Sequence, residues 1–240
     1  DLTSAPPVIS HYNLYRTILV QGAEAIGKSS GQALTAIQQI FNQLEFNNID
    51  YAFTGLAALQ LSAGNASVLV FGLGILVVYL VLSAQYESYV TPVIILMTVP
   101  LAMLGALVFL SLRSIDLNIY AQVGLVTLIG LAAKNGILIV EVAEQHVEAG
   151  MEVTQAAIAA AESRMRPILM TAIASLAGFL PLVVATTAGA NSQQSLGTVI
   201  FGGLLVATVL SLGVVPPFYV AIKRLEERWF GGDVPAEQAP

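Results

Sequence analysis

The chain has 240 residues, of which 56% are hydrophobic and only 10% are charged, and its mean hydropathy is +0.79. Soluble domains carry about 25% charged residues, so this composition excludes an ordinary soluble protein and predicts an integral membrane protein. The net charge of −6 excludes nucleic acid as a partner, and the absence of cysteine excludes disulfides and thiolate metal sites. The chain opens on Asp1 without an initiator Met or signal peptide, and we expect it to begin partway through a larger protein.

Residues 1–66 have mixed character and are predicted to form a small α/β domain. Tyr15–Gln21 is rich in β-branched and apolar residues and predicts a strand. Ser30–Leu44 has apolar residues at helical spacing, and Ile49–Phe53 predicts a second strand. Two strands joined by a helix would form a βαβ unit. Such a unit is too small to bury a core alone, so we expect it to pack against something outside this chain.

Long uncharged runs begin after Ser67, and each is close to the roughly 20 residues that cross a bilayer. The sequence therefore predicts a mainly α-helical membrane protein whose domains are 1–66, the membrane domain 67–225 and a tail, 226–240. The long linker Val142–Arg166 predicts a weakly amphipathic helix lying on the membrane surface. The five predicted spans lie at about 68–86, 90–112, 119–145, 167–188 and 196–222.

Basic residues predict the orientation of the chain. Arg164 and Arg166 stand in the long linker, and Lys223, Arg224 and Arg228 follow the last predicted span. Five spans place both groups on one side, which the positive-inside rule makes cytoplasmic. The N-terminal domain is then extracytoplasmic.

Lys134 stands inside the third predicted span, in the sequence GLAAKNGILIVEVA. A charge in the bilayer centre costs about 2.5–3.5 kcal/mol on insertion scales, so it is expected to have a partner or a hydrated cavity. Glu141 lies about 10 Å along the helix axis, nearer the interface. Since no other predicted span contains an acid, we expect the counter-ion outside this chain. The alternative is that Lys134 extends to the interface.

Other polar residues within the predicted spans are weaker candidates for the same site. Asn135 is adjacent to Lys134, although it points about 100° away around the helix. Thr171 lies one turn inside the fourth predicted span, with Arg164 before it. A threonine in a span usually bonds to its own helix backbone, and that interpretation is favoured for most threonines here.

Residues 22–29, GAEAIGKS, match the phosphate-binding loop pattern GxxxxGK[ST], but nucleotide binding is rejected. The segment before the first span is too short for the multi-stranded sheet and second acidic strand end that such a site needs. We expect instead a loop in which Ser29 or Ser30 caps the following helix. His11 and His146 belong to no recognisable ligand cluster, and hydrolytic chemistry has no support.

Four motifs carry a family resemblance: QYES (85–88), GLAAKNGILIVEVA (130–143), RMRPILMTAIASLAGFLPL (164–182) and GTVIFGGLLVATVLSLGVVPPFYV (197–220). Together they resemble the resistance–nodulation–division transporters, and more narrowly the proton-driven hydrophobe/amphiphile efflux pumps of Gram-negative inner membranes. The resemblance extends from about Pro6 to Leu225.

The resemblance implies a secondary active transporter rather than an enzyme, driven by the proton-motive force without a cofactor or metal. It implies that residues 1–66 are part of a periplasmic porter subdomain and that five of twelve spans are present. Lys134, Asn135, Thr171 and Arg164 would belong to a proton relay whose two Asp residues lie in the N-terminal half of the same transporter. Implied partners are membrane lipid, small hydrophobic substrates, identical subunits in a homotrimer, a periplasmic adaptor and an outer-membrane channel.

Two alternatives remain open from the sequence. The chain could belong to a relative that uses proton flow to move lipids or to assist protein export. It could also be a non-transporting membrane scaffold.

Overall fold

A computed structural model of the chain describes residues 9–22, 30–44, 49–187 and 189–230, with the side chains of 63–68, 226–227 and 229–230 left out. The chain divides into two compact units, residues 1–50 and residues 51–240.

The first unit begins with a β-hairpin. Strands β1 (Ser10–Tyr12) and β2 (Tyr15–Thr17) pair antiparallel, with Ser10 opposite Thr17. Asn13 and Leu14 connect them with φ angles of 49° and 70°. Two consecutive left-handed residues match the twist of a tight hairpin. Helix α1 (Ser30–Gln43) follows and confirms the predicted helix.

The structure corrects the predicted βαβ arrangement. Only the first three residues of Tyr15–Gln21 lie in a strand, and Ile49–Phe53 has no strand assignment. The only sheet in the described residues is the local hairpin. A two-residue turn closes an antiparallel pair at small entropic cost, whereas a parallel pair needs a long crossover. The phosphate-loop pattern lies outside the described residues except for Gly22.

The second unit is a helical bundle in which five helical segments are long and apolar enough to cross a membrane, which confirms the predicted count. Its helices are α2 (Gly55–Tyr86), α3 (Thr91–Leu96), α4 (Thr98–Leu112), α5 (Ile119–Glu148), α6 (Val153–Val183) and α7 (Ala190–Phe230). Helices α3 and α4 together correspond to one predicted span. Their break at Met97 has a local cause, because Pro100 lacks the N–H that would bond to the Leu96 carbonyl.

The structure also corrects the predicted surface helix within 142–166. Helix α5 ends at Glu148, and α6 starts at Val153 and continues through both prolines of its sequence to Val183. Between them, the Gly150 N–H donates to the Val147 carbonyl and the Met151 N–H donates to the His146 carbonyl. This is a Schellman ending, and Gly150 supplies its positive φ of 90°.

The alanine face of this segment packs on the bundle. Ala156, Ala157 and Ala160 are at most 1% exposed, and Ala157 and Ala160 join the core that contains Ile139 and Tyr219. Because lipid offers no hydrophobic gain for helix association, small side chains that permit close approach stabilise such contacts. The same residues that predicted a weak amphipathic helix therefore form an interhelical face.

Helices α4, α5 and α7 form the centre of the bundle, and glycines set the distance between α4 and α7. A Cβ added to Gly105 would lie 2.5 Å from Val206 Cβ and 2.8 Å from the Gly202 carbonyl oxygen. A Cβ on Gly202 would overlap Phe109 Cβ and lie 2.5 Å from its Cγ. The two backbones therefore touch where no side chain fits.

Arg113 joins three helices at the end of the bundle where α4 ends. Its Nη1 donates to the Val183 carbonyl of α6 at 3.0 Å and to Thr198 Oγ1 of α7 at 2.7 Å. Thr198 is 1% exposed. The Val183 carbonyl belongs to the last turn of α6, where backbone acceptors lack helical partners.

Arg113→Ala is expected to lower the stability of the purified protein by about 1–3 kcal/mol, because a buried hydroxyl and a helix-end carbonyl lose a charged donor. Thermal unfolding in detergent measures this effect. Arg224→Ala is the matched control, since its bond to Thr154 Oγ1 at 3.1 Å is exposed and exposed contacts contribute little. Equal unfolding temperatures for both variants would contradict the structural role of Arg113.

Candidate functional site

Helix α5 carries the candidate site, and its start is fixed by Asn118. The Asn118 side-chain oxygen accepts from the Ala121 N–H at 2.9 Å, which satisfies one of the free donors of the first turn. Its Nδ2 donates to Ser195 Oγ of α7 at 2.7 Å. The same side chain therefore begins α5 and ties that end to α7.

Lys134 lies on the exposed side of α5. Its neighbours Ala132, Ala133 and Gly136 are buried, whereas Lys134 itself is exposed in this chain. Within the described part of the chain, no hydrogen bond or ion pair involves Lys134, and the one ion pair joins Lys223 to Glu144 at 3.1 Å. That the counter-ion of Lys134 lies outside this chain stays a prediction.

Asn135 is buried, in contrast to Lys134, because consecutive residues of a helix are rotated by about 100°. It is 3% exposed, and its Nδ2 donates to Thr208 Oγ1 of α7 at 3.3 Å. Thr208 is also 3% exposed and donates its own proton to the Leu204 carbonyl at 2.7 Å. Asn135 and Lys134 are therefore neighbours in sequence that point to different faces.

Arg164 and Thr171 both lie on α6. Thr171 is exposed and its hydroxyl donates to the Ile168 carbonyl at 3.1 Å, while Arg164 is half-buried. Among the described residues, no hydrogen bond or ion pair joins either of them to Lys134. The structure thus brings Asn135 together with Thr208, and it does not bring Lys134, Arg164 and Thr171 into direct contact.

Sequence reasoning missed a polar junction where α5 ends. Glu144 binds Lys223 of α7 and accepts from Thr91 Oγ1 of α3 at 3.4 Å. Glu141, the acid nearest to Lys134 along α5, accepts from Gln145 Nε2 at 3.3 Å. A cleft of about 410 Å³ opens here, lined by Gln85, Tyr86, Glu87, Glu141, Glu144, Gln145 and Glu148.

The QYES motif forms the turn between α2 and α3. Tyr86 ends α2, Glu87 adopts a left-handed φ of 48°, and Ser88 Oγ accepts from the Val90 and Thr91 N–H groups at 3.2 and 3.4 Å. The motif thus has a structural function at a helix end. In the described residues, no cluster of three or more His, Asp or Glu side chains is arranged to hold a metal ion.

Comparison with known proteins identifies the family. The sequence profile of the AcrB/AcrD/AcrF family matches residues 1–223. Toluene efflux pump membrane transporter TtgB of Pseudomonas putida is 41% identical over 225 residues, which are 94% of this chain and 21% of that protein. Solvent-resistant pump membrane transporter SrpB of Pseudomonas putida is 42% identical over 228 residues, which are 95% of this chain and 22% of that protein. Multidrug resistance protein MdtF of Escherichia coli is 39% identical over 230 residues, which are 95% of this chain and 22% of that protein.

The chain spans about one fifth of the length of these relatives. The matched region contains the five apolar helices and all four motifs that suggested the resemblance. The chain therefore belongs to the AcrB/AcrD/AcrF family of resistance–nodulation–division transporters.

Proposed function

We propose that this chain is part of a proton-driven antiporter that expels hydrophobic or amphiphilic compounds across the inner membrane. The relatives named for toluene, solvent and multidrug efflux support the substrate class. The single observation that carries the proton coupling is Lys134, a cation in an apolar helix with no acidic partner among the described residues.

The exposed position of Lys134 supports acidic groups as the partners that would complete the site. A lysine facing hydrocarbon is costly, whereas a lysine facing carboxylates in a hydrated pocket is stabilised. We infer that acidic residues of the transporter's N-terminal half cover this face of α5. A proton that neutralises a carboxylate weakens its attraction to Lys134, so proton uptake changes which packing of the two halves is favoured.

Arg164 and Thr171 are the proposed companions of Lys134 on α6. Helices α5 and α6 pack together through buried residues that include Val142, Ala143 and Ala157. A shift of Lys134 is therefore transmitted to α6 by close packing. Thr171 has lone pairs free to accept another hydrogen bond, since its proton already goes to the Ile168 carbonyl.

The proposed orientation places the ends of α5 and α7 and the start of α6 in the cytoplasm. Two contacts link these ends, the Lys223–Glu144 ion pair and the bond from Arg224 to Thr154. This end of the bundle is richer in Lys and Arg than the end that carries Arg113, and the positive-inside rule therefore favours it as the cytoplasmic end. Residues 1–50 would then be periplasmic, where a homotrimer would join an adaptor and an outer-membrane channel.

The function can be tested in Gram-negative cells that lack their own efflux pumps and express the protein in its full reading frame. We expect such cells to expel the hydrophobic dye Nile red, and to stop when an uncoupler collapses the proton gradient while ATP is maintained. Dye efflux that persists after uncoupling would contradict proton coupling. Failure to expel any hydrophobic dye or solvent would contradict the proposed substrate class.

A further inference from the structure

The buried hydrogen bond between Asn135 and Thr208 lies one residue from Lys134 and about 100° from it around α5. Lipid tails and apolar side chains attract a helix almost equally, so apolar packing in a membrane leaves helix rotation weakly specified. A hydrogen bond between two buried side chains is directional, and it is lost if α5 rotates. The hydrogen bond between Asn135 and Thr208 therefore favours one rotation of α5 about its axis.

The donor and acceptor pattern fits this role. Thr208 gives its only proton to the Leu204 carbonyl of its own helix, so its oxygen is left as an acceptor. That oxygen faces Asn135 Nδ2, and both side chains are 3% exposed. Asn135 can satisfy this nitrogen on α7 only in the rotation that turns Lys134 about 100° away.

A second buried threonine, Thr98 of α4, contacts α5 within one turn of Asn135. Thr98 Oγ1 of α4 lies 2.7 Å from the Ile95 carbonyl and 3.3 Å from the Ala132 carbonyl of α5. A Cβ added to Gly136 would lie 3.0 Å from Thr98 Cγ2. Helix α5 is thus held between α4 and α7 beside Lys134.

We propose that Thr208 and Asn135 are positioning residues that hold α5 in the rotation that presents Lys134 to its acidic partners. Asn135 would then act through Lys134 rather than exchange protons itself. This inference rests on the proposed proton relay, but it adds Thr208, a residue on α7 that lies outside the relay assignment made from sequence.

The test uses the full-length transporter in cells and compares Thr208→Val, which keeps the shape and removes the hydroxyl, with Thr208→Ser, which keeps the hydroxyl. Interhelical hydrogen bonds in membranes contribute about 0.6 kcal/mol on average, equivalent to about threefold. We expect Thr208→Val to lower the maximal efflux rate per transporter about threefold or more. The half-saturating substrate concentration should not change, and Thr208→Ser should retain wild-type kinetics.

A labelling measurement separates positioning from general destabilisation. In a transporter otherwise free of cysteine, Lys134→Cys is labelled with N-ethylmaleimide in three proteins, with Thr208 unchanged, with Thr208→Val and with Thr208→Ser. We expect its labelling rate to change about threefold with Thr208→Val and to stay constant with Thr208→Ser, while labelling of Leu104→Cys, 54% exposed on α4, changes with neither substitution.

The outcomes distinguish the two proposals. If Lys134→Ala abolishes efflux but Thr208→Val transports and labels like the wild type, the positioning role is wrong and the relay stands. If Lys134→Ala transports normally, the proposed proton relay itself is wrong. If Thr208→Ser lowers the maximal efflux rate as much as Thr208→Val does, loss of the hydroxyl does not explain the effect, and the positioning role is again wrong.

Discussion

Replacing Lys134 with alanine is expected to reduce efflux to the level of cells that lack the transporter. The side chain is the only basic group in the apolar part of α5, and nothing in the described residues neutralises it. Its removal would leave the proposed acidic partners without a cation to release, so protonation would no longer favour one packing of the helices. Nile red efflux from energised cells measures the loss.

The variant must be compared at equal amounts of folded protein. Val123→Ala is the matched control, because Val123 is 54% exposed on the same helix and its truncation removes only surface methyl groups. We expect this control to transport normally. Lys134→Ala should still fold and assemble, since Lys134 makes no hydrogen bond or ion pair in the described part of the chain. Wild-type efflux by Lys134→Ala would remove the basis of the relay.

The second large effect is expected at the crossing of α4 and α7. Gly202→Ala would place a methyl group against Phe109 Cβ, which cannot move without its backbone. Overpacking of this kind costs about 1–3 kcal/mol, and here it forces the two central helices apart. We expect a lower unfolding temperature in detergent and less folded protein in the membrane.

Gly213→Ala is the control for this prediction, since it lies on the same helix. A Cβ at Gly213 meets no atom within 4 Å in the described residues, and alanine favours helix by up to about 1 kcal/mol over glycine. We expect Gly213→Ala to unfold at or slightly above the wild-type temperature. An unchanged unfolding temperature for Gly202→Ala would contradict the close backbone contact.

The sequence predicted the membrane helices well, because hydrophobic length is a property of each segment alone. It predicted their ends less well. The fourth span is predicted to begin at 167, where an uncharged run starts, but the helix that contains it begins at Val153. Its first turns are held by Ala157 and Ala160, which pack on the bundle, and this tertiary contact is not visible in any local sequence pattern.

The threonines illustrate how far local reasoning extends into the site. Bonding to the nearby helix backbone was favoured for most of them. Thr98, Thr127, Thr171 and Thr208 all donate to a carbonyl three or four residues earlier in the chain. That interpretation did not consider that the hydroxyl oxygen can also accept a hydrogen bond. The oxygen of Thr208 accepts from Asn135, and such pairings between helices require the fold.

The hairpin was missed for a different reason. Asn13 and Leu14 adopt left-handed conformations, and leucine is an unusual residue for that region, so the turn carried no recognisable signal. Lys134 was found because a charge within an apolar helix is visible in any single sequence. Its partners were not found, because the acids that would face it are expected outside these 240 residues.

The central claim is that Lys134 couples proton flow to efflux, and proton flux in proteoliposomes tests it most directly. The purified full-length transporter is reconstituted with a pH-sensitive dye inside, and an outward gradient of a hydrophobic substrate is imposed. We predict substrate-dependent proton movement with the wild type and none with Lys134→Ala reconstituted at equal density. Proton movement at the wild-type rate with Lys134→Ala would contradict the claim.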